Sequence, residues 1–159
     1  MRNTEMAKLG GLVGEWRTTI SDAWFLEPPG TTVPGETVVE WLGESLLVVH
    51  STFGGGGHEG SEMRFVLGRS DANNCFVALY EDERGVCREF EMTFADGHWE
   101  MNREDPDFHQ RFIAEVKSDR ILARTEASDD GGQTWRKDFD LTYERVAASS
   151  GLDDLFNLT

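Results

Sequence analysis

The sequence predicts an all-β protein, an antiparallel up-and-down β-barrel of about ten strands preceded by one short N-terminal helix. Three observations carry that reading. Apolar and polar residues alternate with a period of two over most of the chain, the period of a strand that buries one face. Turn signals separate these runs at short intervals. Helical periodicity is confined to the two ends.

Taken in order, residues 4–9 make a short segment capped by Thr4 and stopped by Gly10-Gly11, suited to plug one barrel end. Strands are expected over residues 15–24, 36–42, 46–53, 62–69, 74–82, 86–94, 98–103, 108–116, 121–127 and 134–145. Sequential hairpins give an up-and-down order, and closure removes the edges that an open meander would expose. The barrel domain spans 1–146 and a C-terminal tail spans 147–159. In the tail, Leu152, Leu155, Phe156 and Leu158 have partly helical spacing, so it either docks on the barrel or forms the contact of a homodimer.

Three hairpins can be registered from their turns. Asp96-Gly97 is the dipeptide of a type I′ turn, because both central residues need positive φ; it pairs Phe94 with Trp99, Met92 with Met101 and Phe90 with Arg103. Glu83-Arg84-Gly85 is a three-residue loop with glycine at the left-handed position; it sets Asp82 against Val86, Tyr80 against Arg88 and Phe76 against Met92. The loop Glu104-Asp105-Pro106-Asp107 sets Arg103 against Phe108 and Met101 against Gln110. All three agree in parity. Tyr80, Arg88, Phe90, Met92, Trp99, Met101, Arg103, Gln110 and Phe112 therefore share one face, which is apolar except for Tyr80, Arg88, Arg103 and Gln110. A one-residue slip would scatter the set. Donors converging inside an apolar barrel indicate a ligand cavity.

Strand direction sorts the loops. The long ones, 25–35, 54–60, 83–85, 104–107 and 128–133, fall at one end and form an entrance; the tight turns near 43-44, 70–73, 96-97 and 118-119 fall at the other. Tyr80, Arg88 and Arg103 lie toward the entrance, with Gln110 one inward step deeper. The run from Gly54 to Gly60 lacks the Gly-Lys-Ser/Thr and the helix of a phosphate loop, and is read as a mobile portal loop.

Composition limits the partners. The chain has 159 residues, enough for one domain with a real core. Its 30 acidic and 15 basic residues leave a net charge of -15, which repels nucleic acid and anionic membranes. Neither a long apolar run nor a signal-peptide pattern is present, and a soluble cytoplasmic protein is expected. Cys75 and Cys87 fall six positions apart along paired strands, out of disulfide reach, and neither has a His placed to activate it.

Two inward arginines and a tyrosine hydroxyl suit a carboxylate, phosphate or carbonyl oxygen, and the aromatic and methionine neighbours suit an apolar body. The alternative is that Arg88 or Arg103 pairs with Asp22 or Asp82 near the same rim. His50, His58, His98 and His109 lack metal-ligand spacing, and His98 and His109 register outward; no metal and no cofactor is expected. No serine or cysteine has a His–acid pair, so an enzyme would rely on acid–base work by Tyr80, Asp82 or His50, with Arg88 and Arg103 stabilising an oxyanion.

Two motifs resemble known ones. The segment from Ser128 through Asp130 and Gly132 to Thr134-Trp135 resembles the Asp-box hairpin of sialidase propellers, a structural turn; one copy cannot make a propeller. Gly14-Glu15-Trp16 at the first strand looks like the Gly-x-Trp signature of lipocalins and their calycin relatives. In that superfamily a late basic residue packs across the tryptophan near the closed end, and Arg145 in Tyr143-Glu144-Arg145 is its match. With Trp41-Leu42-Gly43 and Leu67-Gly68, the chain to about Val146 resembles a bacterial lipocalin-like domain of unknown function. Fatty-acid-binding relatives carry Arg-x-Tyr on the last strand where this chain has Tyr-x-Arg, so their carboxylate site does not transfer. Haem-binding relatives of the nitrobindin type ligate iron through a late His, and no His follows His109.

The reading is a non-catalytic binding barrel for a small apolar or amphipathic molecule. Arg88, Arg103, Tyr80 and Gln110 hold its anionic or polar head; Trp16, Phe90, Met92, Trp99, Met101 and Phe112 line or floor the cavity. The alternatives are a lyase or isomerase using the same pocket, and a filled barrel acting as an interaction module.

Overall fold

A strand with alternate apolar residues has one face to bury, and ten such strands bury theirs by closing on one another. The structure, a computed structural model, describes residues 2–55 and 58–147. The strands are β1 (Gly14–Ser21), β2 (Val33–Leu42), β3 (Leu46–Gly55), β4 (His58–Ser70), β5 (Cys75–Asp82), β6 (Cys87–Ala95), β7 (His98–Glu104), β8 (His109–Val116), β9 (Arg120–Ser128) and β10 (Arg136–Arg145). Each pairs antiparallel with its sequence neighbour, and β10 returns to β1, giving a closed barrel. Among the described residues no helix is long and apolar enough to cross a membrane. The tail expected to dock or dimerise lies, from residue 148, outside the described residues.

The boundaries differ from the expected ones where backbone overrides alternation. β1 stops at Ser21 because Asp22 takes the left-handed conformation, φ 48°, which places Trp24 in the following loop. The glycine-rich stretch is not a portal loop at its described positions. β3 runs to Gly55, β4 starts at His58, and the two residues pair. Glycine brings no side chain to bury, but its backbone donor and acceptor pair as well as any other.

Two of the three hairpin registers stand as expected: Phe94 faces Trp99, Met92 faces Met101, and Tyr80 faces Arg88. The third is displaced by two residues, with Arg103 facing Gln110 and Met101 facing Phe112. The cause is the loop, which occupies residues 105–108 and folds around the Arg103 guanidinium. An even displacement preserves parity, so the face is unchanged.

One barrel end is plugged. Helix α1 (Thr4–Ala7) is capped by Asn3 rather than Thr4: the Asn3 Oδ1 accepts from the backbone N–H groups of Glu5 at 2.8 Å and Met6 at 3.3 Å. A 3₁₀ turn, Lys8–Leu12, then runs through the two glycines expected to stop the helix. Met6, Leu9 and Leu12 are buried in the core. Trp16 on β1 donates its indole N–H to Leu12 O at 2.9 Å. The Arg145 guanidinium lies 4.1 Å from the Trp16 ring centroid and donates to Gly11, Val13 and Ser118 carbonyls.

Gly14 makes that packing possible. Its φ is 138°, and a Cβ there would lie 2.6 Å from an Arg145 terminal nitrogen. We expect Gly14→Ala to lower stability by about 2 kcal/mol. Gly11→Ala, whose added Cβ would meet nothing within 4 Å, should not lower it by more than a few tenths. Urea melts of both variants check the pair, and equal losses would refute the steric explanation.

Candidate ligand cavity

The opposite end is open. Strands β1, β3, β5, β7 and β9 all run toward it, and the connections 22–32, 83–86, 105–108 and 129–135 surround it. Below them lies a cavity of about 540 Å³, within the range that holds a small organic ligand. Its walls come from inward positions of β1, β4, β5, β6, β8, β9 and β10, joined at the mouth by Trp24, Phe25 and Phe108.

Of the nine residues expected to bind ligand, five line this cavity: Tyr80, Arg88, Phe90, Gln110 and Phe112. The other four do not. Met92, Trp99 and Met101 are buried on the right face but beneath the cavity, where they fill the closed half. Among the described residues the indole N–H of Trp99 has no hydrogen-bond partner, and its ring packs on Phe112 at 4.8 Å between centroids.

Arg103 is 7 % exposed and is engaged by its own loop. Its Nη1 donates to Phe108 O at 2.9 Å and its Nη2 lies 2.9 Å from Asp107 Oδ1. Its Nε sits 2.8 Å from Asp105 Oδ2, near enough for the charges to pair although the N–H is not aligned for a hydrogen bond. Arg103 thus organises the 105–108 loop.

The expected rim pairs also resolve differently. Asp22 pairs with Lys137. Asp82 pairs with Arg84, which donates from Nη2 at 2.6 Å, and accepts the Tyr80 hydroxyl at 2.7 Å. Burial would raise the Asp82 carboxyl, but the hydrogen bonds from Arg84 and Tyr80 prevail and hold its pKa at about 2. Tyr80 moves the other way, raised first by burial and then by its bond to the Asp82 carboxylate. Neither group changes protonation near neutral pH. His50, the third acid–base candidate, does not line the cavity itself and bonds Glu62, which does, at 3.0 Å.

Arg88 is left without an acid. Among the described residues it forms no ion pair; its Nη1 donates to Gln110 Oε1 at 3.1 Å. The guanidinium carbon lies 5.1 Å from the Phe108 ring centroid and 6.0 Å from that of Tyr80. The Gln110 amide, its oxygen occupied, has N–H donors to offer a ligand. Arg88 and Gln110 together can hold one anionic head with an aromatic body beside it.

Several wall residues were missed. Phe65 and Met63 follow from the alternation of β4 once its partner registers are known. Phe139 follows likewise from the alternation of β10, in phase with the buried Leu141 and Tyr143, because the bulge between Lys137 and Phe139 moves only the residues before it to a new register. The bulged Asp138 accepts the Trp24 indole N–H at 2.6 Å and so ties the 22–32 loop across the mouth. The Asp-box turn is structural as expected: Asp130 accepts from Ser128 Oγ and Thr134 N, each at 2.8 Å, and Trp135 packs 3.9 Å from the Arg111 guanidinium.

No family model matches the sequence, and no curated protein matches it. Among solved structures the chain is similar to the crystal structure of Rv2717c from M. tuberculosis, with a TM-score of 0.65, 11 % identity, and coverage of 92 % of this chain and all of that one. It also matches a de novo designed fluorescence-activating β-barrel, at a TM-score of 0.44 and 12 % identity over 84 % of this chain and 93 % of the design. The likeness to Rv2717c establishes the barrel fold.

The depressed Asp82 pKa fixes a pH dependence. A carboxyl whose folded pKa lies below its unfolded value near 3.8 adds stability above the unfolded value and loses it as the pH falls toward 2. Asp82→Asn should therefore be less stable than wild type at pH 7 and lose less stability between pH 4 and 2. Urea unfolding across that range checks it; parallel curves for the two proteins would refute the pairing.

Proposed function

We propose that this protein is a non-catalytic, calycin-type binding barrel that takes one small amphipathic molecule, its apolar body in the cavity and its anionic head on Arg88 and Gln110. The observation that carries the reading is Arg88, a cavity-lining guanidinium with no acid partner among the described residues of a chain whose acids outnumber its bases two to one. A charge held against an apolar wall is costly unless something pairs it. A carboxylate, sulfonate or phosphate entering from the mouth supplies that pair.

The same cavity counts against a filled interaction module, and the locked Tyr80–Asp82 pair counts against acid–base chemistry at this position. The Gly14, Trp16 and Arg145 packing supports the calycin resemblance. Free thiols at Cys75 and Cys87 support a reducing, cytoplasmic setting.

Two matched pairs of probes test the head group by calorimetry: undecanoate with undecanamide, and 2-naphthoate with 2-naphthamide. At least one acid should bind more tightly than its amide, and Arg88→Met should weaken that acid about tenfold to a hundredfold while leaving the amide unchanged. Equal binding of acid and amide in both pairs, or an Arg88→Met variant that keeps the difference, would overturn the anion site.

A further inference from the structure

We infer that the ligand is a compact, flat aromatic anion rather than a long-chain fatty acid; this deepens the binding reading above and rests on it. Two observations lead there, the depth of the cavity and the composition of its wall.

On three of the strands that line the cavity, the last lining residue marks where it ends. On β5 the lining residue is Tyr80, and Ala78 beneath it is buried in the core; on β6 Phe90 lines and Met92 does not; on β8 Phe112 lines and Ala114 does not. From Asp82 at the rim to Ala78 under the floor the strand advances about 13 Å, or about 10 Å along the axis of a barrel with strands tilted near 40°. Below that level the interior is filled by Leu47, Leu67, Met92, Trp99 and Met101, each at most 3 % exposed. An extended long-chain fatty acid is longer than the cavity is deep, and the filled half gives its tail nowhere to go.

Eight of the described residues that line the cavity carry aromatic rings. Phe65 stands at the centre, 5.0 Å from Tyr80, 5.8 Å from Phe90 and 6.4 Å from Phe112 between centroids, with interplanar angles of 54°, 70° and 51°. Tilted packing of this kind turns edges and faces toward the same space, where an inserted ring can meet both. Across the cavity Phe139 meets Phe25 edge-on at 5.8 Å, and Phe25 meets Trp24 at 5.7 Å. Trp24, 70 % exposed and fixed by Asp138, stands at the mouth above them. The guanidinium of Arg88, near the Tyr80 and Phe108 rings, puts the anion at the edge of this aromatic wall rather than at the end of a long tunnel.

The test uses two carboxylates of equal carbon number, 2-naphthoate and undecanoate, with palmitate as a third. Undecanoate is the more apolar, so a cavity that registered only apolar area would prefer it. We expect 2-naphthoate to bind at least about tenfold more tightly than undecanoate, palmitate to bind no more tightly than undecanoate, and Phe139→Leu to weaken naphthoate selectively. Affinity that rises from naphthoate through undecanoate to palmitate, or a Phe139→Leu variant that affects all three alike, would overturn the aromatic assignment while leaving the anion site intact. Loss of the acid–amide difference would overturn the anion site itself. Failure of every probe to bind would overturn both.

Discussion

The Arg145 guanidinium over Trp16 is the contact on which the rest of the barrel depends. It joins the last strand to the first at the seam where a closed sheet must meet itself. Its remaining donors reach carbonyls of Gly11 and Val13, before the first strand, and of Ser118, in the turn between β8 and β9. One side chain thus fastens the plug, the seam and a turn. A guanidinium is suited to this because its planar fork can stack on a ring and donate sideways at once. The geometry then requires that residue 14 have no side chain. Gly14, Trp16 and Arg145 form one mechanical unit, and the helical segment they hold closes that end.

With one end closed, an unfilled part of the interior opens only at the other. Charge accounting at that end is informative. Arg84 is neutralised by Asp82, Arg103 by Asp105 and Asp107, Arg111 by Glu126, and Arg136 by Asp129. In so acidic a chain, acids are available for every base near the rim, and Arg88 nonetheless pairs with a neutral amide. Its neighbours inside the barrel are rings, which lower the local dielectric and make any incoming anion count for more than it would in water. The candidate site is marked by a guanidinium that has no acid partner among the described residues.

Much of the fold was legible in the sequence because strand periodicity and turn chemistry are local. Asp96-Gly97 permits one kind of turn, and from it the pairing of β6 with β7 follows; the observed φ values are 53° and 77°. The loop after Arg103 has no such requirement. Two registers satisfy its residues, and the choice falls to Asp105 and Asp107 closing on Arg103, a contact between side chains that alternation does not describe. The same blindness hid Asp22, whose backbone ends β1, and the bulge at Asp138, which shifts Arg136 and Lys137 by one residue against β9. Each is a place where one residue departs from the period, and a pattern reads such residues last.

Face and depth are separate questions, and the sequence answers only the first. Register parity assigned Met92, Trp99 and Met101 to the interior correctly, and a two-residue displacement of β8 left that assignment untouched. Whether an inward residue lines a cavity or fills a core depends on the volumes of all its neighbours at that level, contributed by strands far apart in the chain. Arg103 is the sharpest case. It points inward and lies near the mouth, two properties that parity and strand direction supply, yet its charge is already satisfied. Arg88 has the same two properties and differs only in its neighbours. A polar residue on an inward face is therefore a candidate for function only after its local partners are counted, and at this rim that count separates one arginine from the other.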